Sequence, residues 1–124
     1  MAGAARYPYE TAVTAYGNGG FRFAEMSHRG SILCLPSGIY AWDVTDAAAL
    51  RPEDFTLALA ALSAPAVLLV GTGVTQYFFG PEIELAFIAA GVGLEAMSTG
   101  AAARTYAVML AEKRRVGAAL IAVP

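Results

Sequence analysis

Apolar runs and longer helical segments alternate along the second half of the chain, with glycine-containing turns between them. The aliphatic run at residues 67–70 is typical of a strand buried on both faces, and it ends at Gly71-Thr72-Gly73. The segments that follow predict a helix, a strand, a helix and a strand, over residues 81–90, 94–97, 101–112 and 116–123. Two strand–helix–strand units in succession predict a small parallel sheet with helical crossovers.

The N-terminal third shows shorter periods and more turns. Residues 11–16 alternate in the manner of a strand, and Gly17-Asn18-Gly19-Gly20 supplies the residues that tight hairpin turns require. Further strands are predicted over residues 21–23, 31–35 and 39–44, with a polar loop over residues 25–29. The predicted fold is therefore a three-layer α/β domain. Its central sheet is parallel, and the N-terminal third forms a second, antiparallel sheet that packs on the first or on its helices.

The helix predicted over residues 81–90 has an unusual composition. Beyond Glu84 it is apolar all round, with Ile83 and Phe87 on one side and Leu85 and Ile88 on the other. A helix of this kind is expected to be buried on two faces. Either a subunit interface or the N-terminal sheet could supply the second cover.

The overall composition limits the class of protein. A length of 124 residues suits a single domain over residues 1–124, in which we expect residues 1–10 to be flexible or peripheral. Apolar residues make up 57% and charged residues 15%, whereas typical domains have roughly 45–50% and about 25%. The excess favours a subunit that hides surface in an oligomer such as a homodimer. The net charge of −2 gives no indication of nucleic-acid binding.

A long uncharged segment raises the question of a membrane span. Residues 55–81 carry no charge, but Pro65, Gly71 and Gly73 interrupt them. A helix that begins at Pro52, a break at Pro65 and a buried strand account for this segment better than a transmembrane helix does. Residues 1–9 do not have the pattern of a secretory signal, so a cytoplasmic protein is expected.

Few residues are available for catalysis or metal binding. Cys34 is the only cysteine and lies in an apolar run, which predicts a buried core residue and excludes an internal disulfide. His28 is the only histidine, so no metal centre based on several histidines can form. The carboxylates are spread over turns and helix starts. We therefore expect no metal, no cofactor and no catalytic residue.

An ordered series of short segments resembles a known family. The segments are residues 16–23, 30–36, 42, 52–54, 69–73, 102–106 and 115–121. Together they resemble a small domain-of-unknown-function family that includes the mitochondrial respiratory complex I assembly factor 3, an adipogenesis-associated human protein and many proteobacterial members. The resemblance extends over about residues 11–123 and is to the proteobacterial type.

The resemblance implies a three-layer α/β fold and no enzymatic activity common to the family. Because the mitochondrial member is a non-catalytic assembly factor, it implies partners among respiratory-complex or membrane-assembly components. Two positions depart from the family pattern. Many relatives have an acidic residue where Ser98 stands and a cysteine where Ala103 stands. If either residue serves a chemical role in those relatives, that role is missing here.

One candidate ligand site lies at the predicted strand ends. Gly71, Thr72 and Gly73 could let a ligand approach the backbone, although the spacing does not fit a dinucleotide fingerprint. The alternative is that the glycines only permit a tight turn. The candidate site is completed by Ser98, Thr99 and Arg104, at the start of the last helix, where N–H groups and a guanidinium could hold an anion. Ordinary capping, with an ion pair between Arg104 and Glu95, is the alternative.

A candidate interface lies nearby. Three aromatic residues follow one another at 77–79, where they could line a pocket, cover a partner or close the core. Its candidate residues are Phe78, Phe79, Ile83 and Phe87. Two hypotheses follow. The first is a non-catalytic protein-interaction module that uses this apolar surface. The second is a small-molecule or anion-binding protein, with or without enzymatic activity, whose site is at the strand ends.

Overall fold

The computed structural model describes residues 4–124, and these form two sheets and three α-helices. The strands are β1 (Ala15–Gly17), β2 (Gly20–Phe23), β3 (Met26–Arg29), β4 (Ser31–Leu35), β5 (Gly38–Trp42), β6 (Ala66–Gly71), β7 (Val92–Met97) and β8 (Val116–Leu120). The helices are α1 (Thr56–Ala61), α2 (Pro81–Ala90) and α3 (Thr99–Ala111), with short 3-10 turns at Ala47–Ala49 and Pro52–Phe55.

The central sheet has five strands in the order β5-β4-β8-β6-β7. Strands β6, β7 and β8 are parallel, and α2 and α3 connect them as predicted. The β4–β5 hairpin joins β8 in antiparallel orientation, so the sheet is mixed rather than wholly parallel. All five residues of β4 are buried. An apolar strand of this kind needs cover on both faces, which a position inside the central sheet provides.

The two faces of the central sheet pack against different layers. Leu68 and Val70 belong to a core shared with α1 and with Phe87 of α2. Leu69 belongs to a second core shared with Tyr106 of α3 and with Phe23 of the small sheet. Because successive strand residues point to opposite faces, a single apolar strand serves both cores. The three-layer α/β fold is thus confirmed.

The small sheet is antiparallel, in the order β1-β2-β3. Asn18 and Gly19, at φ 53° and 77°, form the left-handed turn between β1 and β2 that the sequence predicts. Ala24 and Glu25 adopt the same conformation, at φ 49° and 63°, between β2 and β3. Neither residue is typical of such a turn. The predicted polar loop over residues 25–29 is therefore wrong: Met26–Arg29 is strand β3, and His28 lies on it.

Helix α2 has one covered side. Ile83 and Phe87 are 5% and 1% exposed, whereas Leu85 and Ile88 are 63% and 73% exposed. The N-terminal sheet packs on the face of the central sheet that is opposite to α2. The alternative in which it covers the second side of this helix is therefore wrong. Gly91 ends the helix at φ 71°, in the left-handed conformation that favours glycine.

The N-terminal segment is attached to strand β5 of the central sheet. Arg6 and Tyr7 donate backbone hydrogen bonds to the Ile39 carbonyl, and the Tyr7 ring contacts the Phe23 ring. Residues 1–3 of the segment expected to be peripheral lie outside the described residues. Over residues 4–124, each helix is too short or too polar to cross a membrane.

Candidate functional site

The predicted site at the strand ends lies at the switch point of the parallel sheet. The connection after β6 leads to α2 on one face, and β7 is followed by α3 on the other. Open α/β sheets place ligands at such a point. The structure brings Gly71, at the end of β6, and the following Thr72 and Gly73 next to Ser98 and Thr99, after β7.

The polar groups of these two segments are bonded to each other. The Gly73 N–H donates to the Thr99 hydroxyl oxygen at 3.0 Å, and the Thr99 hydroxyl donates to the Ile121 carbonyl at 2.7 Å. The Thr99 N–H donates to the Gly73 carbonyl at 2.8 Å, and the Thr72 N–H donates to the Met97 carbonyl at 2.9 Å. Thr99 is fully buried. The backbone donors of Thr72, Gly73 and Thr99 therefore already have partners.

Thr72 fixes the loop that follows. Its hydroxyl lies 2.7 Å from the Thr75 carbonyl and 3.1 Å from the Met97 carbonyl, and it accepts the Tyr77 N–H at 3.0 Å. The side-chain amide of Gln76 donates to the Ala96 carbonyl at 2.7 Å. These bonds hold residues 72–77 over the ends of the strands. The loop covers this edge of the sheet.

The glycine at the end of β6 has a packing reason. A Cβ atom placed on Gly71 would lie 2.8 Å from the Thr99 Cα, a distance that real Cβ atoms do not show. Glycine thus allows the start of α3 to approach the end of β6 closely. Gly73, at φ 112°, adopts a backbone conformation that other residues rarely adopt. The tight-turn interpretation therefore accounts for Gly73, whereas close packing against α3 accounts for Gly71.

Ser98 and Arg104 have structural partners. The Ser98 hydroxyl accepts the Ala101 N–H at 3.3 Å, which is the bond of an N-terminal helix cap. The Arg104 guanidinium donates to the Tyr16 hydroxyl at 3.2 Å, and it is not paired with Glu95 as the alternative interpretation expected. Tyr16 of β1 thereby reaches from the small sheet to the first turns of α3.

The predicted interface residues divide into buried and exposed groups. Ile83 and Phe87 lie in the core of this chain, and a direct contact between them and a partner is therefore a wrong prediction. Phe79 is partly buried, with its ring centroid 6.3 Å from that of Phe55. Phe78 is 77% exposed. Of the four predicted residues, Phe78 is thus the most available for contact.

The structure adds three exposed apolar residues that the predicted interface omitted. Val74 is 73% exposed and lies in the same loop as Phe78, and Leu85 and Ile88 are exposed on the helix that follows. We call these four residues, Val74, Phe78, Leu85 and Ile88, the apolar face. The sequence carried a signal for the helical pair, since they lie opposite Ile83 and Phe87. It did not indicate which of the two sides would be covered.

Burial shifts the pKa values of Cys34 and His28. Cys34 is fully buried, as predicted, and burial raises the pKa of its thiol far above the ordinary value. The thiol is therefore protonated and weakly nucleophilic at neutral pH. Burial also lowers the pKa of His28, and the positive charge of Arg6 lowers it further. His28 is accordingly neutral over more of the physiological pH range than a free histidine.

Comparisons with known proteins place the chain among uncharacterised relatives. It is 38% identical over 113 residues to an uncharacterised protein from Rhodobacter capsulatus, covering 90% of this chain and 85% of that protein. A crystal structure described as an outer membrane protein from Bartonella henselae is 46% identical, covers 96% of this chain and 100% of its own, and superposes with a TM-score of 0.91.

A solution structure from Bordetella pertussis, described as an Mth938-like domain, is 36% identical. It covers 90% of this chain and 85% of its own, with a TM-score of 0.76. Residues 13–121 match the family described as protein of unknown function (DUF498/DUF598). Because this match extends over most of the chain, the protein belongs to the DUF498/DUF598 family.

Proposed function

We propose that the protein is a non-catalytic protein-interaction module that binds a partner protein through the apolar face. The observation that carries this proposal is the exposure of four large apolar side chains, 63–77% in each case, between Val74 and Ile88. Scattered single apolar residues are normal on protein surfaces, whereas larger patches mark interaction sites. These four side chains all belong to the segment from Val74 to Ile88.

The geometry of the segment supports binding. Leu85 and Ile88 are separated by three positions, so they lie on one side of α2 and can enter a groove together. Their helix is held from beneath, because Phe87 packs against Phe55 with ring centroids 5.1 Å apart. A rigid helix loses little conformational entropy when it binds. Covering one such side chain contributes about 1.5–3 kcal/mol.

The polar chemistry supports an interaction module over an enzyme. At the switch point, hydrogen bonds within the chain occupy the hydroxyl groups of Thr72 and Thr99. Cys34 is buried with a raised pKa. Activated nucleophiles require a base or a lowered pKa, and these groups have neither.

The family resemblance suggests the kind of partner. The mitochondrial respiratory complex I assembly factor 3 is a non-catalytic assembly factor, and an analogous role here would have respiratory-complex or membrane-assembly components as partners. An unassembled subunit with an exposed apolar segment would match the chemistry of the apolar face. We further propose a cytoplasmic location for this step. The competing hypothesis is that a second copy of this chain binds the apolar face, which would form a homodimer.

Affinity capture from the native cell, with quantitative mass spectrometry, tests the proposal. We expect Phe78→Asp and Ile88→Asp each to abolish recovery of a stoichiometric partner, because a carboxylate cannot be buried unpaired in an apolar contact. The matched control is Val108→Asp, at a 59% exposed valine on α3, on the other face of the central sheet. Equal recovery from all three variants, or no partner with the unmodified protein, would contradict the proposal.

Sedimentation velocity on the same variants separates the two occupants. If the unmodified protein is a dimer and Ile88→Asp converts it to a monomer, the apolar face binds a second copy. If every variant is monomeric while capture differs between them, the occupant is another protein. Thermal unfolding should be similar for the three variants, since all three positions are exposed.

A further inference from the structure

The outer face of the small sheet brings together three polar side chains. In the strand register Arg22 is opposite Ser27, and Arg29 is opposite Gly20. Directly paired residues share a face, and residues two apart on one strand share it too. Arg22, Ser27 and Arg29 therefore lie on the same side of the sheet. Phe21 points to the other side and is 2% exposed in the core.

A groove of about 450 Å³ lies on this face. Its volume is within the range of roughly 300–1,000 Å³ that small-molecule sites occupy. The groove is lined by small residues at Ala15, Gly17 and Gly20, together with the two arginines and Ser27. Since none of the small residues has a side chain beyond a methyl group, a ligand can lie directly on the backbone between the arginines.

Neither arginine in the groove is neutralised by an acidic side chain. Over residues 4–124 the ion pairs are Arg51 with Glu53 and Arg114 with Glu112, and both lie elsewhere. Arg22 and Arg29 occupy diagonal positions on neighbouring strands, where Cα atoms are roughly 7–8 Å apart. Arginine side chains are long enough for two of them, on Cα atoms at that separation, to reach one small anion.

More positive charge surrounds the sheet. Arg6 is close enough to His28, on β3, to lower its pKa. Arg104 donates to the hydroxyl of Tyr16. Because Tyr16 and His28 are both paired with Phe21, these two contacts are on the Phe21 side of the sheet, behind the groove. Four of the eight Lys and Arg residues thus surround this sheet in a chain whose net charge is −2. A local concentration of one sign of charge attracts ligands of the opposite sign.

We propose that this groove binds the phosphoryl group of a phosphorylated small molecule, through Arg22, Arg29 and Ser27. A carboxylate has two oxygens, and one guanidinium satisfies both. A phosphoryl group has three terminal oxygens, so it can accept from two guanidinium groups and a hydroxyl at once. The chemistry is that of a phosphate monoester. A soluble metabolite and a lipid headgroup are its two possible sources.

Amide chemical-shift titration with ribose 5-phosphate at constant ionic strength tests the site. We expect saturable shifts confined to residues 15–29. Arg22→Gln and Arg29→Gln should each weaken binding about 10-fold, since each removes a charge-assisted pair, and Ser27→Ala should weaken it less. Arg51→Gln is the matched control, because Arg51 is an exposed arginine outside the groove. All four positions are on the surface, so the variants should remain folded.

A second arm distinguishes the sources of the phosphoryl group. Phosphatidylcholine vesicles with and without phosphatidic acid are sedimented with the protein. Saturable ribose 5-phosphate binding without vesicle binding indicates a soluble ligand, and loss of phosphatidic acid-dependent sedimentation in Arg22→Gln indicates a headgroup; either supports the site. Failure to bind both probes, or equal binding by Arg22→Gln and Arg51→Gln, would overturn it. Phe78→Asp should bind ribose 5-phosphate normally, so this inference and the proposed function can fail independently.

Discussion

The two outer layers of the molecule both bury an aromatic side chain in the core, but their exposed sides differ: one is apolar and the other carries arginines. Helix α2 buries Phe87 in one core, and strand β2 buries Phe23 in the other. Outward, α2 exposes Leu85 and Ile88, whereas the small sheet exposes Arg22 and Arg29. Folding requires the apolar inner faces, because burying them provides the driving force. It does not require either outer surface, so the outer surfaces are where binding can be selected.

The largest effect is expected from truncating a side chain on the covered side of α2, in comparison with one on its exposed side. Phe87→Ala should lower the free energy of unfolding by about 3–5 kcal/mol, because it leaves a cavity against Phe55. Ile88→Ala, one residue further, should change it by less than about 0.5 kcal/mol, because that side chain is exposed. Urea unfolding measures both. Similar losses in the two variants would mean that the outer side of α2 is covered by a second copy in solution.

The next largest effect concerns the loop of residues 72–77 over the strand ends, which hydrogen bonds to Thr99 hold in place. Thr99→Val removes the hydroxyl that accepts from Gly73 and donates to Ile121, and leaves both backbone groups unpaired. We expect a loss of about 1–3 kcal/mol in the free energy of unfolding. Ser98→Ala removes only the helix cap and should cost about 1 kcal/mol. If Thr99→Val cost less than Ser98→Ala, the bonds that close this loop would not be important for stability.

A smaller effect, of opposite sign, is expected in the small sheet. Glu25 has φ 63°, a left-handed conformation that costs residues with a side chain about 1–2 kcal/mol. Glu25→Gly should therefore raise the free energy of unfolding by about 1 kcal/mol, measured by thermal or urea unfolding. Asn18→Gly, in the equivalent turn, should have less effect because asparagine tolerates this conformation. Destabilisation by Glu25→Gly would show that the glutamate makes contacts that outweigh its backbone strain.

The smallest effect is a pH dependence that His28 confers. Burial and the charge of Arg6 lower its pKa in the folded state, so the unfolded chain binds more protons between that pKa and about 6.5. The free energy of unfolding should therefore rise with pH across this window. His28→Asn should flatten the rise in urea midpoints measured from pH 5 to 7. An unchanged slope in this variant would assign the dependence to another group.

Periodicity predicted the elements of the C-terminal half because each is local. Residues 81–90 were predicted as a helix between Pro81 and Gly91, and α2 has the same bounds. The hairpin at Asn18-Gly19 was equally local. Strand β3 was missed because Ala24 and Glu25 carry no turn signal, although they form a left-handed turn between β2 and β3.

The candidate sites were harder to predict, since they depend on which surfaces meet. The sequence placed Gly71, Thr72, Gly73, Ser98 and Thr99 at strand ends, and the structure brings them together. It could not show that these residues would satisfy one another. Nor could it show that Arg22 and Arg29 share a face, because the strand that carries Arg29 was not predicted.

By itself, the sequence determined the α/β class, the parallel core built on β6 and the turn at Asn18-Gly19, because each depends on residues close together in the chain. Tertiary structure alone decided that β4 joins the central sheet, that Ile83 and Phe87 rather than Leu85 and Ile88 face inward, and that the strand-end loop closes on itself. In all three cases the deciding contacts join segments distant in sequence, and local preference carries no information about which of them will meet.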